Sequence, residues 1–334
     1  MADLTVSIII ITHNRPFLLK HCLERVLAQS YAHKEIIVVD SSTNDESEQV
    51  VAQSPEVINV RLRGQRNNMP QARNKGIAAS SGNILAFIDD DSMVQPGWLE
   101  ALVNAYCDET IGAVGGRIID MPEPFCNQLS GSPCLIIKPY GRVFRRGIGL
   151  LSTESREVDH LPGANISFRR EVLEQVGGFD PHYILVNLRE ETDMCIRVKK
   201  AGWRIMFVPA MAQVHFSPRV VQNPYLLERP RYQFSSGYST AYFAFKHFGL
   251  NLRTLTESLL LIGRGFARAA YYMLHFVSGS AAYTVGHFAG LVVGIAWHLN
   301  SQLRAMSAPR IGRREQVGTE QGSLPAASQS ESLT

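Results

Sequence analysis

Ile84-Leu85-Ala86-Phe87-Ile88-Asp89-Asp90-Asp91 decides the fold. The apolar run follows the turn Ser80-Ser81-Gly82-Asn83, and a short apolar run bounded by turn residues reads as a strand buried on both faces. In open α/β sheets ligands gather beyond the carboxyl ends of such strands. Three adjacent carboxylates there repel one another, and a divalent cation is the simplest relief. Oxygen ligands select the hard cations Mg²⁺, Ca²⁺ or Mn²⁺ over zinc. A solvated acidic turn that caps the next helix is the competing reading, and the flanking sequence decides against it.

Upstream, Val6-Ser7-Ile8-Ile9-Ile10-Ile11 is a β-branched strand that runs into the polar turn Thr12-His13-Asn14-Arg15-Pro16. Pro16 suits the first turn of a helix, and Phe17, Leu18, Cys22, Val26 and Leu27 recur at helical spacing. Ile36-Ile37-Val38-Val39 is a second strand, ending at Asp40. Strand, helix and strand joined by short turns predict a parallel sheet with a right-handed crossover. Val57 to Leu62 reads as a third strand, and Arg66 to Gly76 as a polar turn opening a short helix.

Downstream, Gly97-Trp98-Leu99 starts a helix and Ile111 to Val114 a strand. Pro122 to Ser155 is irregular and carries basic residues at Lys138, Arg142, Arg145 and Arg146. These are either solvated loop charges or contacts to an anionic acceptor or diphosphate. Order returns at Val158 to Arg170, followed by a helix over Glu171–Val176 and another opened by Glu190-Glu191-Thr192-Asp193. Acidic residues suit a first turn, so capping alone explains one or two of them. Ile205 to Pro209 leads on to Val214-His215-Phe216.

Five ordered blocks in this pattern resemble family 2 glycosyltransferases of the GT-A fold. Thr12-His13-Asn14-Arg15 is similar to the family's T-x-N-R turn, and Asp40-Ser41-Ser42-Thr43-Asn44-Asp45 to its D-x-G-S-x-D, with Ser42 in the glycine's place. Ala72-Arg73-Asn74-x-Gly76 matches directly, and Asp89-Asp90-Asp91 occupies the D-x-D position. Glu190-Glu191-Thr192-Asp193 with Arg197 stands where the family has E-D-x-D-x-x-x-R, Glu191 replacing an aspartate. Asn68 stands where glycine is common, and Asn tolerates a left-handed backbone better than most residues.

The resemblance implies an α/β fold, GT-A, Rossmann-like with a mostly parallel sheet plus C-terminal helices. It covers about residues 1–218, with a nucleotide-sugar half near 1–115 and an acceptor half near 156–218. It implies a nucleoside diphosphate sugar donor, UDP- or dTDP-linked, a Mn²⁺ or Mg²⁺ ion, and inverting transfer to a lipid-linked or glycan hydroxyl. Thr12, Asn14, Arg15, Asp40, Arg73, Asp89 and Asp90 are then expected at the nucleotide. Asp40 would accept a base imide N–H, or else form an Asx turn with Thr43. Arg73 would neutralise the diphosphate or fix the Asp89–Asp91 carboxylates, with an ion pair to Asp40 equally open. Asp91, assisted by Asp89, would hold the metal. His215 matches a histidine many members place on it, although a lone histidine is as readily structural. Glu191 and Asp193 are the catalytic candidates, Glu191 as general base. Trp98 and Trp203 read as core rather than as sugar platforms.

The chain has 334 residues, of which 45% are hydrophobic, and a net charge of +3. That length supports one large or two ordinary domains, and so small a charge does not point to nucleic acid. Five cysteines without a C-x-x-C fit a reducing compartment. Early Asp3 and the short Val6–Ile11 run do not make a signal peptide, which predicts a cytoplasmic domain.

Arg219 to Arg314 is basic, and no charged residue occurs between Arg268 and Arg304. Within that gap Gly286, Gly290 and Gly294 lie four apart, a spacing that lets helices approach closely. Residues 219–306 are thus expected to form helices lying on or dipping into the inner face of the cell membrane. The polar stretch 307–334 reads as a disordered tail.

Two other classes are tested by what they would require. A nucleotidyltransferase needs a glycine-rich phosphate turn after the first strand, which Thr12-His13-Asn14-Arg15 does not supply. A non-catalytic nucleotide-sugar-binding scaffold at the membrane would not need the carboxylates at Asp40, Asp89, Asp91 and Glu191.

Overall fold

In a computed structural model, residues 4–62, 68–121, 134–138, 142–146, 154–184, 188–216, 230–249, 288–290, 292–297 and 300 are described. One mixed sheet organises them, in strand order β3-β2-β1-β4-β10-β6-β11-β5. β1 (Val6–Thr12), β2 (Lys34–Asp40), β3 (Val57–Arg61) and β4 (Ile84–Asp89) run parallel. The other half is mixed. β10 (Asn165–Arg169) is antiparallel to both β4 and β6 (Ile111–Met121), whereas β11 (Arg204–Phe216) is parallel to β6. The edge strand β5 (Ser92–Val94) and the short β9 (Arg156–Glu157) both run antiparallel to β11. Residues of the irregular 122–155 segment contribute a separate backbone hairpin, β7 (Cys134–Lys138) with β8 (Arg142–Arg146).

The period-two alternation of a strand explains why the strand sequences are apolar throughout. Ile8 and Ile10 of β1, Ile36 and Val38 of β2, and Ile84, Ala86 and Ile88 of β4 face one core. That core is closed by α1 (Pro16–Leu27) and α4 (Trp98–Ala105). Ile9, Ile11, Ile37, Val39, Leu85 and Phe87 face the other. It is closed by α3 (Met69–Ala79), α5 (Arg170–Val176) and α6 (Glu190–Lys200). Each such side chain contributes about 1.5–3 kcal/mol when fully buried, so the two-sided strands anchor the sheet. α2 (Glu46–Val51) adds Val51 to the first core.

The register brings the site together. Thr12 pairs with Asp40, Asp40 with Arg61, and Ile11 with Asp89. The carboxyl ends of four parallel strands are therefore level, and their last residues share one crevice.

β6 and β11 are longer than the sequence suggested, and β5 was not anticipated. Gly115-Gly116-Arg117 interrupts the apolar run in β6, Pro209 does so in β11, and polar Asp91 and Gln95 flank the short β5, which itself begins with Ser92. Close approach of β6 and β11 needs Gly116, where a Cβ would meet the Met211 carbonyl oxygen at 1.6 Å. Asn68 is extended (φ −118°) rather than left-handed, and its side chain caps α3 by accepting from the Gln71 amide at 3.1 Å. Trp98 is fully buried and donates to Asn165 Oδ1 at 3.1 Å, a core residue as expected.

Beyond residue 218, α7 (Pro230–Phe248) packs on the sheet domain. Tyr238, Tyr242 and Phe243 of α7 cluster with Tyr183. Helical residues 288–290 and 292–297 also lie against α7, and Trp297 packs edge-on to Tyr242 in the same cluster. A Cβ on Gly290 would sit 1.9 Å from the Phe234 carbonyl oxygen, and one on Gly294 2.7 Å from that of Tyr238. The glycine spacing thus seats one helix against another within this chain. Among the described residues no helix is long and apolar enough to cross a membrane. Most of 269–303 and all of 307–334 lie outside the described residues.

Candidate active site

The turn after β4 projects three carboxylates that part company. Asp90 points inward, where Thr12 Oγ1 and Arg15 Nη1 donate to it, each at 2.8 Å. Asp91 accepts from the same Arg15 Nη1 at 2.8 Å, and its Oδ1 lies 3.2 Å from His215 Nε2. Asp89 lies beside Arg73, 4.0 Å from Nη2. Burial pushes Asp90 up to about 6, against the pull of Arg15. Burial also works on Asp91, but the His215 imidazole and Arg15 outweigh it and hold that carboxyl below its usual range.

One ligand atom from each of Asp89, Asp91 and His215 lies within 4.8 Å of the others, the one such group among the described residues. Four carboxylates (Asp89, Asp90, Asp91 and Glu190) share the guanidiniums of Arg15 and Arg73 here. Two carboxylates and an imidazole amid that excess of negative charge fit a divalent cation. The β5–β11 pairing is what delivers His215, since its register partner is Ser92, directly after Asp91.

Arg73 lies beneath this group, buried over the rings of Phe87 and Phe179, which meet edge to face. It does not pair with Asp40, one of the readings the sequence left open. Its Nη1 pairs with Glu190 and its Nη2 donates to the Gly163 carbonyl at 3.1 Å. Burial opposes the Arg73 charge, but Glu190 and Asp89 outweigh it and keep the guanidinium protonated. Gly163 is needed for the fit, because a Cβ there would stand 2.8 Å from Arg73 Nη2.

Asp40 is fully buried, and Arg61, which sequence reasoning missed, takes Arg73's place beside it. One Asp40 oxygen accepts from Arg61 Nη1 at 2.5 Å and the other from the Ser42 amide at 2.8 Å. The Asx-type turn thus closes on Ser42, not Thr43. Asn14, with a left-handed backbone (φ 53°), accepts from the Thr43 amide at 2.8 Å and locks the β1 turn to the β2 turn. Ile11, Thr12, His13, Arg15, Met69 and Asp89–Asp91 line a cavity of about 100 Å³ there. A larger groove of about 520 Å³ has Val214 and Phe216 in its wall, so by strand alternation it opens on the opposite face of β11 from His215.

The first turn of α6 separates its acids sharply. Glu190 is held by Arg73. Asp193 is fully buried, with Arg197, Lys246 and His247 all in contact. Burial would raise Asp193, but these three cations and donors hold it far below the carboxylate range. Glu191 keeps 18% of its side chain exposed, with His160 Nε2 4.0 Å away.

The family model for glycosyl transferase family 2 matches residues 7–177, and the chain belongs to that family. It is 29% identical over 212 residues to the glucosyl-dolichyl phosphate glucuronosyltransferase of Haloferax volcanii, covering 60% of this chain and 66% of that protein. A mannosyltransferase from Pyrobaculum calidifontis, solved with GDP-Man and Mn²⁺, superposes with a TM-score of 0.52 at 18% identity, over 90% of this chain and 88% of that one. GalNAc-T7 with UDP, GalNAc and Mn²⁺ gives a TM-score of 0.55 at 18% identity, over 76% and 53% of the two chains. Both share the GT-A fold. The chain spans about two thirds of the length of its Haloferax relative.

Proposed function

We propose that this chain transfers a sugar from a nucleoside diphosphate sugar to a hydroxyl of a lipid-linked or glycan acceptor, with inversion at the sugar carbon. The observation that carries the reading is the Asp89–Asp91–His215 group at the carboxyl end of a parallel strand. A Mn²⁺ or Mg²⁺ ion held by these three residues would neutralise the charge that the diphosphate gains as it leaves.

Arg15, 27% exposed at the lip of the cavity, is placed to meet the diphosphate, while Thr12 and Asp90 hold that arginine and the β1 turn in position. Asn14 and the buried Asp40–Arg61 pair shape the floor where the nucleoside base would lie. Glu191 is proposed as the general base that takes the acceptor hydroxyl proton, because Glu190 and Asp193 are each bound to cations. Asp193 is proposed as a holder of α6 rather than a group that meets the acceptor.

The lipid-linked acceptor draws support from the name of the Haloferax relative, which acts on a dolichyl phosphate sugar. The basic residues between Arg219 and Arg314 support placement at the anionic inner face of a membrane, the chemistry a lipid-linked acceptor requires. The test is a panel of UDP-, dTDP- and GDP-sugars assayed for release of nucleoside diphosphate with Mn²⁺. Release from one donor, abolished by chelator, supports the reading. Release of pyrophosphate would favour a nucleotidyltransferase.

A further inference from the structure

α7 grips the acidic turn of α6 from both of its ends. Before the turn stands Arg189, whose backbone is left-handed (φ 69°), an unusual conformation for a residue with a side chain. Its Nε donates to Thr240 Oγ1 of α7 at 3.3 Å, and its guanidinium lies 5.2 Å from the centre of the Phe243 ring. After the turn stands Asp193. Its Oδ1 takes Lys246 Nζ at 2.6 Å and His247 Nε2 at 2.7 Å, both from α7. Lys246 Nζ also bridges to Asp180 at 2.5 Å, tying the loop after α5 into the same knot. The Asp193 amide donates back to the Arg189 carbonyl at 2.9 Å and closes the turn. Glu190, Glu191 and Thr192 lie between these two grips.

We infer that α7 is a positioning element for the general base: Lys246 and His247 at one end of the turn, and Thr240 through Arg189 at the other, fix where Glu191 stands. The inference rests on the proposed function for the identity of the base, and on the contacts alone for the grip. The first turn of α6 begins at a strained residue, and the Arg73–Glu190 pair and the Thr192–His160 contact hold its middle from the sheet side. A misplacement of about 1 Å at a reacting group costs on the order of 10²-fold in rate. The α7 contacts fix the two ends of the turn and complete what the Arg73–Glu190 pair does at its middle. This also means that α7, within the 219–306 region expected from the sequence to be helical and membrane-associated, contributes to the chemistry without touching substrate.

The experiment uses the full chain and three variants. Lys246→Met keeps an unbranched side chain of similar length but removes the ammonium that lies near Tyr183, Tyr242 and Asp193; Lys246→Arg restores the charge; Thr240→Val removes the acceptor for Arg189 at nearly constant volume. Hydrogen exchange of the Asp193 amide reads the turn directly and needs no activity. Lys246→Met should speed that exchange at least tenfold while the amides of Ile8–Ile10 and Ile84–Ile88 stay protected, and Lys246→Arg should reverse most of the effect. With whichever sugar the wild type releases from the UDP-, dTDP- and GDP-sugar panel, turnover to acceptor should fall by about 10²-fold with the donor KM unchanged. Thr240→Val should move both readouts in the same direction. Unchanged exchange at Asp193 in both Lys246→Met and Thr240→Val overturns the inference. So does loss of protection across the whole sheet in step with the turn, which would mean α7 merely stabilises the fold. If the wild type releases no nucleoside diphosphate at all, the proposed function fails while the exchange still decides the grip.

Discussion

Arg73 and Glu190 form a buried ion pair beneath the Asp89–Asp91 turn, joining α3, which packs on the parallel strands, to the helix that carries the proposed base. Neither partner meets solvent, and Asp89 stands 4.0 Å away on the same guanidinium. The pair therefore couples the carboxylates of the proposed metal site to α6 through one side chain. Removing either partner strands the other's charge in the core, whereas changes at Glu191 leave the pair intact.

That contrast makes the first prediction. Glu190→Gln should destabilise the protein by about 3–5 kcal/mol, the usual cost of breaking a buried pair, seen as a fall in Tm. Glu191→Gln, at a part-exposed side chain, should cost clearly less, with a smaller fall in Tm. Equal losses from the two variants would mean that α6 packs differently.

The second prediction concerns catalysis. Glu191→Gln should lower turnover by about 10²- to 10⁴-fold with donor affinity nearly unchanged, since a general base touches the acceptor. Steady-state kinetics with varied donor and acceptor separate the two effects. A larger turnover loss in Asp193→Asn than in Glu191→Gln would reverse the roles assigned to these carboxylates.

Acid stability supplies the third. Burial pushes Asp180 and Asp193 up, but Lys246 at Asp180, and His247, Arg197 and Lys246 at Asp193, outweigh it and hold both carboxyls below their usual range. A depressed native pKa means that the unfolded chain binds protons first. The stability these groups contribute is then complete above about pH 4 and drains away as pH falls toward their native pKa values. His247 acts with the same sign at higher pH: burial lowers it despite Asp193, so its contribution is lost as pH falls below about 6.5. The gap between thermal melts of wild type and Asp193→Asn should be constant near neutral pH and narrow steadily as pH falls from about 4 to about 2.5. Parallel curves over that range would show that Asp193 carries no such linkage.

Much of this arrangement was legible in the sequence, and the reasons for the rest are physical. Uninterrupted apolar runs placed β1, β2 and β4, and carboxylates at their ends marked the crevice. Period and composition say little about which strands become neighbours late in the chain, so β5 went unseen and with it the contact that brings His215 to Asp91. Arg61 was readable in principle: it ends an apolar run as Asp40 does, and level parallel strands make such residues partners. The left-handed Asn14 also had a signal, being an asparagine in a strand-to-helix turn just before Pro16. Asp193 could not be assigned. Its position beside Glu191 suggested shared chemistry, and only the packing of α7 shows that its carboxylate faces Lys246 and His247.

The metal group yields the fourth prediction. Asp91→Asn keeps the side chain's size on the turn between β4 and β5 and should leave the circular dichroism spectrum unchanged. Turnover should fall by about 10²- to 10³-fold, the scale of losing one preorganised electrostatic contact to the leaving charge.

The most direct test of the central claim is Mn²⁺ binding to the full chain, followed by isothermal titration in the wild type, Asp91→Asn and His215→Ala, with nucleoside diphosphate release measured on the same samples. The prediction is one bound Mn²⁺ in the wild type, weakened in both variants, with donor turnover lost in proportion. Donor turnover that persists in excess chelator, or Mn²⁺ affinity unaltered in both variants, would contradict it.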